Sequence, residues 1–282
     1  MKEFREKFIS FRSSRFRYIW QGSGSHILFA FHGYGESAAS FTILTDAIAD
    51  ALDHDLTIVA VDLPFHGETD WCEAGLLLEP HDLLRLLEEI AASLPGCTGS
   101  WSLLGYSMGG RIALQLLQLA PHRVERMILV APDGLKVNPW YRLAAHTTYG
   151  NRLFRRTMQR PLWFFLFLRA ANRLGLVNPS FYKFTFQYVA DDHARHDLYQ
   201  RWTVLRAFKP SFQKLAAIVR EKALPVHLIY GDYDRVIRWQ RGERFLRLAG
   251  DSCKLTRLAA GHRLLQPEYT GIIVSTLYLP SI

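Results

Sequence analysis

The chain has 282 residues, of which 49% are hydrophobic and 21% are charged, and its formal net charge is +8. The composition is that of a globular protein with a sizeable core, which excludes a disordered chain, and the length allows one large α/β domain or a domain with an insertion. The charged start of the chain and the lack of an apolar run of ~18 residues argue against a signal peptide and a transmembrane helix. Scattered cysteines, namely Cys72, Cys97 and Cys253, predict buried thiols in a reducing, cytoplasmic compartment.

Strand and helix patterns alternate along most of the chain. A β-hairpin is predicted first, with strands over residues 8–12 and 15–20. Further strands are predicted over residues 26–31, 57–61, 100–104, 124–130, 225–230 and 254–259. Helices are predicted over residues 38–52, 76–94, 111–119, 236–248 and 267–279. The repeated strand–helix units predict a mostly parallel eight-stranded sheet with helices on both faces.

A Gly-x-Ser-x-Gly pattern lies where one of these strands gives way to a helix. Gly105, Ser107 and Gly109 form the pattern, and good helix formers follow it. This context predicts a strained turn that holds the Ser107 hydroxyl clear of the sheet edge. The helix N-terminus would also direct unpaired N–H groups at whatever the hydroxyl attacks.

Two further polar side chains come soon after predicted strands. Asp234 follows the strand at 225–230, and His262 follows the strand at 254–259. Because the functional loops of a parallel sheet lie beyond the carboxyl ends of its strands, both residues are expected at the same edge as Ser107. A serine hydroxyl needs a base to take its proton, and the imidazole of that base needs a carboxylate to orient it. His262 and Asp234 are the candidates for these roles.

The alternation stops over residues 133–222, which are therefore expected to form an inserted helical cap on a core made of residues 1–132 and 223–282. The insertion holds sixteen Lys/Arg against five Asp/Glu, and seventeen of the 37 aromatic residues. Three interpretations stay open. The aromatic residues could pack together beneath solvated arginines, or arginines could face inward to pair with a carboxylate or phosphate of the substrate. In the third, the segment 163–168 lies on a membrane, with neighbouring arginines on anionic lipid.

Five motifs, in this order, resemble the α/β-hydrolase superfamily over nearly the whole chain outside the insertion. They are His32-Gly33-Tyr34-Gly35, Asp62-Leu63-Pro64-Phe65-His66-Gly67, Gly105-Tyr106-Ser107-Met108-Gly109-Gly110, Gly231-Asp232-Tyr233-Asp234 and Gly261-His262. One departure is Phe65, which stands where the superfamily's Asp-x-Pro-Gly-x-Gly loop has glycine. The resemblance implies the α/β-hydrolase fold, a Ser-His-Asp triad and an oxyanion hole.

The resemblance also implies roles for single residues. The backbone N–H groups of Tyr34 and Met108 would form the oxyanion hole, in which one donor is worth ~3 kcal/mol of barrier. Gly33, Tyr106 and Arg111 are expected to contact substrate.

The identity of the acid, and the roles of several nearby residues, stay open at this point. Asp133 follows the preceding strand, where some members of the superfamily place the acid, and Asp232 also fits a turn-shaping role. Three residues, namely His32, Asp62 and His66, are expected to organise their loops. Ser37 is expected to cap the helix that follows it.

The leading functional hypothesis is a serine hydrolase that cleaves a carboxylic ester or related acyl bond of a small-molecule or lipid-like substrate. The Ser107 motif is also similar to that of the menaquinone-pathway synthase of this superfamily. That similarity would imply a lyase that eliminates pyruvate from a polyanionic substrate suited to Arg111. Further alternatives are a C–C bond hydrolase acting on an anionic aromatic substrate and a non-catalytic binding member of the fold. The chain has no metal-ligand spacing and no Gly-rich phosphate loop, so no metal or cofactor is expected. Basic residues mixed with aromatic residues also occur in nucleic-acid-binding proteins, but the catalytic residues of the core argue against a nucleic-acid partner.

Overall fold

The structure is a computed structural model. It describes residues 4–45, 47–48, 56–73, 75, 77–94, 96, 99, 101–136, 139–177, 182, 185–186 and 189–277. Several sequence predictions fall partly outside these residues, among them the thiol of Cys97, the first residues of the helix over 76–94 and of the strand over 100–104, and the ends of the helices over 38–52 and 267–279.

Eight strands form one sheet in the order β1-β2-β4-β3-β5-β6-β7-β8. The strands are β1 (Arg5–Phe11), β2 (Ser14–Gly22), β3 (His26–Phe31), β4 (Leu56–Val61), β5 (Trp101–Tyr106), β6 (Val124–Val130), β7 (Val226–Gly231) and β8 (Cys253–Leu258). Strands β1 and β2 form an antiparallel hairpin, β2 pairs antiparallel with β4, and every other pairing is parallel. The predicted eight-stranded, mostly parallel sheet is therefore confirmed.

Helices connect the strands and make up most of the segment after β6. They are α1 (Pro80–Ser93), α2 (Met108–Leu119), α3 (Pro139–His146), α4 (Thr148–Gln159), α5 (Leu162–Arg173), α6 (Asp192–Val204), α7 (Phe212–Glu221), α8 (Gln240–Ala249) and α9 (Thr270–Ser275), with 3-10 helices at Ala38–Leu44 and Pro267–Tyr269. The helix predicted from residue 38 is thus a 3-10 helix over its first seven residues. The prediction for α1 began too early, because Pro80 is the first helical residue and Glu79 is extended.

Alternate side chains of the strands pack against different layers. Residues such as Leu28, Ile58 and Ile128 belong to a buried cluster with Phe41 of the first 3-10 helix and Ile273 of α9. On the described residues, α2 packs on β3, β5 and β6, α1 and α7 pack on α2, and α8 packs on β8. None of these four helices contributes to that cluster, so they cover the opposite face of the sheet.

The strand order reverses direction beside β3. The chain runs from β3 to β4 on one side, then returns to place β5 on the other side. Ligands in open α/β sheets bind beyond the carboxyl ends of strands at such a switch point. The loops after β3 and β5 meet there, and they carry Tyr34 and Ser107.

The chain divides into two compact units. The larger unit contains Met1–Ala74, Leu78–Lys136 and Ala207–Ile282, and the smaller unit contains Gly75–Leu77 and Val137–Arg206. Helix α7 lies within the expected insertion 133–222 but belongs to the larger unit. That the smaller unit acts as a cap stays a prediction. Across the described residues, no helix combines the length and the apolarity that a bilayer span needs.

Candidate active site

Ser107 occupies a strained turn between β5 and α2. Its backbone has φ 49° and ψ −114°, in a region that non-glycine residues rarely adopt. The Ser107 N–H donates to the carbonyl of Val130 at 2.9 Å, and the Ser107 carbonyl accepts from the N–H groups of Gly110 and Asp133. These bonds, to the end of β6, to the loop after it and to the start of α2, hold the strained backbone in place.

The glycines of the pattern are required by close backbone contacts. A Cβ atom on Gly109 would lie 1.9 Å from the carbonyl oxygen of Phe31 in β3, and one on Gly105 would lie 2.7 Å from the Gly109 carbonyl oxygen. A Cβ on Gly110 would meet Pro132 at 2.5 Å. Helix α2 therefore begins at Met108, three residues before the predicted start, because this contact outweighs the poor helix propensity of glycine.

A continuous hydrogen-bonded path joins Ser107 to two residues from distant strand ends. The Ser107 Oγ lies 3.0 Å from Nε2 of His262, and Nδ1 of His262 lies 2.7 Å from Oδ2 of Asp234. Because a carboxylate only accepts, the Nδ1–H donates to Asp234 and leaves Nε2 as an acceptor for the serine hydroxyl. The structure thus brings together the three residues that strand-end positions placed at one edge of the sheet.

The Asp234 carboxylate is held by three donors. Besides His262, the backbone N–H groups of Val236 and Ile237 donate to its Oδ1 at 2.7 and 2.8 Å. Burial alone would raise the pKa of Asp234, but the hydrogen bonds from His262 and from these two N–H groups outweigh it and lower the pKa. Asp234 is therefore ionised and fixed where it contacts the imidazole.

The two other carboxylates considered for this position have different partners. Asp133 lies 3.5 Å from Arg111 and accepts from the N–H of Gly134. Asp232 pairs with Arg257 at 2.6 Å on the surface. Of the three carboxylates, the structure gives Asp234 as the one bonded to His262.

The loop after β3 packs beside Ser107 through Gly33. The Gly33 N–H donates to Oε2 of Glu36 at 3.1 Å, and a Cβ on Gly33 would lie 3.1 Å from the Tyr106 ring. This places Tyr34, the next residue, at the switch point. Met108 is the first residue of α2, so its N–H is one of the four at a helix start that have no helical acceptor. Their role as oxyanion donors stays a prediction.

Tyr106 is buried and supports His262. Its hydroxyl donates to the His262 carbonyl at 3.1 Å, and its ring stacks on the imidazole at 5.9 Å between centroids. Burial, and then the negative charge of Glu36, raise the pKa of Tyr106, so it stays a neutral donor. Sequence reasoning gives no signal for this contact, because it joins residues 156 positions apart.

Glu36 is a second residue whose role sequence reasoning misses. Its position indicates only the start of the next helix, whereas its side chain accepts from the N–H of Gly33. Burial raises the pKa of Glu36, against the opposing effects of the Gly33 N–H and the nearby His262 and Arg263. Ser37 makes no side-chain capping bond; instead Asp62 Oδ1 accepts from the N–H of Ala38 at 2.5 Å.

The loop after β4 is organised by Asp62, as its motif indicates. Asp62 Oδ2 accepts from the N–H of Glu68 and pairs with Arg17 at 3.1 Å. A Cβ on Gly67 would overlap this carboxylate at 2.1 Å. Phe65, the departure from the superfamily pattern, has φ 63°, so an aromatic residue here occupies a conformation that favours glycine.

The two histidines of these loops are buried and bonded to backbone. His32 Nδ1 lies 2.8 Å from the carbonyl of Gly33, and its Nε2 accepts from the N–H of Leu63. His66 Nδ1 lies 2.9 Å from the carbonyl of Pro64. These contacts hold loop backbone on both sides of the switch point.

Arg111 is buried in α2, where 7% of its side chain is exposed beside Asp133. Gly33, Tyr106 and Arg111 are all buried, and each contacts protein groups. Their part in binding substrate stays a prediction. Within the described residues, no group of three or more His, Cys, Asp or Glu side chains could hold a metal ion.

Comparison with known proteins identifies a family for most of the chain. The model of the alpha/beta hydrolase family matches residues 27–270. The thioesterase domain from the curacin biosynthetic pathway has a TM-score of 0.62 and 17% identity, with 98% of this chain and 99% of that domain covered. At this identity, the likeness shows a shared fold.

Two curated relatives match part of the chain. A dihydrolipoyllysine-residue acetyltransferase component of the acetoin cleaving system, from Cupriavidus necator, is 34% identical over 122 residues, or 43% of this chain and 30% of that protein. A pimeloyl-[acyl-carrier protein] methyl ester esterase from Pseudoalteromonas atlantica is 32% identical over 121 residues, 42% of each protein. The chain spans less than half the length of these relatives.

Proposed function

The chain belongs to the alpha/beta hydrolase family, and we propose that it is a serine hydrolase that cleaves a carboxylic ester or a related acyl bond. The observation that carries the proposal is the hydrogen-bonded path from the Asp234 carboxylate through His262 to the Ser107 hydroxyl. The similarity to an esterase supports the same class of reaction. The proposed substrate is a small-molecule or lipid-like ester.

The proposed reaction follows from this geometry. His262 Nε2 takes the Ser107 proton as Oγ attacks the carbonyl carbon, and Asp234 stabilises the imidazolium that forms. The N–H groups of Met108 and Tyr34 receive the oxyanion. The imidazolium then protonates the leaving alcohol, which departs and leaves an acyl-enzyme. A water molecule gives its proton to His262 and attacks this ester, which releases the acid and restores Ser107.

The alternative lyase hypothesis rests on the similarity of the Ser107 motif, and it needs cationic partners for a polyanionic substrate, either Arg111 or arginines of the insertion. Because the Arg111 side chain is buried next to Asp133, its charge already has a partner within the protein. No observation favours a second function over ester cleavage.

A fluorophosphonate probe, together with a series of aryl esters, tests the proposal. The native protein should be labelled once per chain and should hydrolyse one or more esters. Ser107→Ala should abolish labelling and lower kcat on the order of 10⁶-fold, since nucleophile loss removes the whole covalent route.

Ser37→Ala provides a matched control, because Ser37 is a serine of the loop after β3 whose side chain makes no capping bond. This variant should keep both labelling and turnover. Undiminished ester hydrolysis by Ser107→Ala, or a native protein that the probe does not label, would contradict the proposal.

A further inference from the structure

Helix α5 carries an apolar face that is open to solvent. Its residues Leu162, Trp163, Leu166 and Phe167 are 70%, 43%, 57% and 60% exposed. Their spacing of i, i+1, i+4 and i+5 puts them on one side of the helix. We call these four residues the α5 apolar face. The buried side of the helix is smaller than this face, since only Leu168 and Ala171 are buried among its residues.

Arginines bound this face at both ends. Arg160 precedes the helix, and Arg169 and Arg173 lie on its last two turns; all three are exposed. Helix α4 adds an exposed row with i, i+3, i+4 spacing, formed by Arg152, Arg155 and Arg156.

The smaller unit has few acidic residues to balance this charge. Residues 137–206 contain eleven Lys/Arg and three Asp/Glu, a balance of +8, whereas the rest of the chain has 23 of each. All three acidic residues belong to the α6 region. Asp191 caps α6 by accepting from the N–H of Ala194, Asp192 pairs with Arg195, and Asp197 pairs with Arg201. Apart from Arg195 and Arg201, six of the nine other basic residues lie on α4, on α5 or at Arg160 between them, so most of the excess positive charge is there.

We propose that the α5 apolar face docks on an anionic lipid surface. An exposed helix face of large apolar side chains between arginines has the pattern of an interfacial helix, whose apolar face enters the acyl boundary. The arginines would meet anionic headgroups, and tryptophan favours this interface. A helix of twelve residues is about 18 Å long, which suits the plane of the interface and is too short to span a bilayer.

Two other occupants fit less well. A second copy of the chain would bring a second charge of +8 against the first, which opposes association. A soluble acidic protein would match the arginines but would give four exposed apolar side chains no apolar layer to enter. The lipid surface accounts for both features, and the inference does not rest on the proposed function.

Vesicle flotation tests the inference, with vesicles of phosphatidylcholine alone or mixed with phosphatidylserine. The full chain should float with the mixed vesicles, bind the neutral ones weakly, and detach as salt is added. Trp163→Ser and Phe167→Ser should each weaken binding about tenfold, since each removes an aromatic side chain that the lipid surface would bury. Arg169→Gln and Arg173→Gln should each weaken it about fivefold.

Leu248→Ser and Arg247→Gln on α8 provide matched controls, because both residues are exposed on a helix of the larger unit. These variants should bind as the native chain does. Trp163→Leu keeps an apolar side chain and should still bind, but the blue shift of tryptophan fluorescence on adding vesicles should largely disappear. Circular dichroism of each variant establishes that it folds.

Three results would overturn the inference. One is equal binding of the native chain and the folded Trp163→Ser variant to mixed vesicles. Another is a native dimer that becomes monomeric in Trp163→Ser while neither form binds lipid. A third is α5-dependent retention of an acidic soluble protein without any vesicle binding.

Discussion

The larger and the smaller unit of this chain place large apolar side chains differently. Of the thirteen large apolar side chains that are exposed in the described residues, nine lie within residues 137–206. The larger unit instead buries entire strands, such as β4 and β5, on both faces. Charge follows the same division, since the excess of +8 is confined to the smaller unit.

This difference reflects what each region has to position. In the larger unit, the backbone around Ser107 is packed so closely that its glycines have no space for a methyl group. This packing fixes Ser107 beside His262, and His262 is in turn bonded to Asp234. In the smaller unit, exposed arginines and apolar side chains form surface that internal packing does not explain. The first region is therefore sensitive to small internal changes, and the second to changes in what it contacts.

After the loss of Ser107 itself, the largest expected effect concerns the acid of the larger unit. Asp234→Asn should lower kcat/KM roughly 10⁴-fold, because an amide in this position favours the wrong imidazole tautomer. Steady-state kinetics on the best aryl ester measures the effect. Asp133→Asn and Asp232→Asn are matched controls and should stay within about tenfold of the native enzyme. A larger loss in Asp133→Asn than in Asp234→Asn would reassign the acid.

Packing at the Ser107 turn gives the next effect. Gly109→Ala should lower the free energy of unfolding by about 3 kcal/mol, since its Cβ would lie 1.9 Å from the Phe31 carbonyl oxygen. Urea denaturation measures it. A Cβ on Gly271 in α9 would have no other atom within 4 Å. Gly271→Ala should therefore be neutral or stabilising by up to about 1 kcal/mol. Equal effects of the two changes would show that the turn relaxes easily.

Local sequence patterns are sufficient for the sheet and for the edge where the site lies. The continuous apolar run of β3 identifies a central strand, and the positions of Ser107, Asp234 and His262 after strands place them together. Both inferences need only the pattern of apolar residues within a segment and the position of a polar residue just after it, which are properties of short stretches of sequence.

Contacts between distant segments cannot be predicted in this way. The 3-10 helix at Ala38–Leu44 is capped by Asp62, which accepts a hydrogen bond from the N–H of Ala38, 24 residues earlier in the chain. Tyr106 supports His262 across 156 residues. The sequence predicts that α2 starts at residue 111, because the glycines at 109 and 110 have low helix propensity. The close contact of Gly109 with Phe31, which requires these glycines inside the helix, cannot be seen in the sequence.

A change confined to the smaller unit should leave the larger unit unaffected. Arg195 is buried and donates to the carbonyl groups of Met158 and Val189, so it ties the end of α4 to the start of α6. Arg195→Ala should lower the local opening free energy by about 2 kcal/mol, because it leaves buried carbonyls unpaired. Hydrogen exchange should accelerate in α4 and α6 and stay unchanged in the strands.

Arg152→Ala is the control for that change, since Arg152 is exposed on α4 and surface substitutions usually change stability by less than about 0.5 kcal/mol. Faster exchange throughout the sheet in Arg195→Ala would show that the two units unfold together, which would remove the contrast between them.

The smallest expected effect concerns Glu36 and Asp234, two carboxylates of the larger unit whose contributions to the free energy of unfolding should change with pH in opposite directions. Burial raises the pKa of Glu36 above its ordinary 4.5, so the native fold loses stability as pH rises from 4.5 through the raised pKa. Glu36→Gln keeps an acceptor for the Gly33 N–H and removes this cost. It should therefore be more stable than the native protein at about pH 7, by less than about 1 kcal/mol, and equal to it below about pH 4.

Asp234 should behave in the opposite way, because its lowered pKa stabilises the fold above its ordinary 3.8 and this contribution is lost as pH falls through the lowered value. Asp234→Asn should thus be less stable than the native protein near neutrality, and the difference should vanish in acid. Urea denaturation of both variants across this range measures the two slopes. The contrary result is that both variants are less stable than the native protein near neutrality and equal to it in acid. In that case the Gly33 N–H and nearby positive charges would outweigh burial at Glu36, and its charge would stabilise the loop after β3.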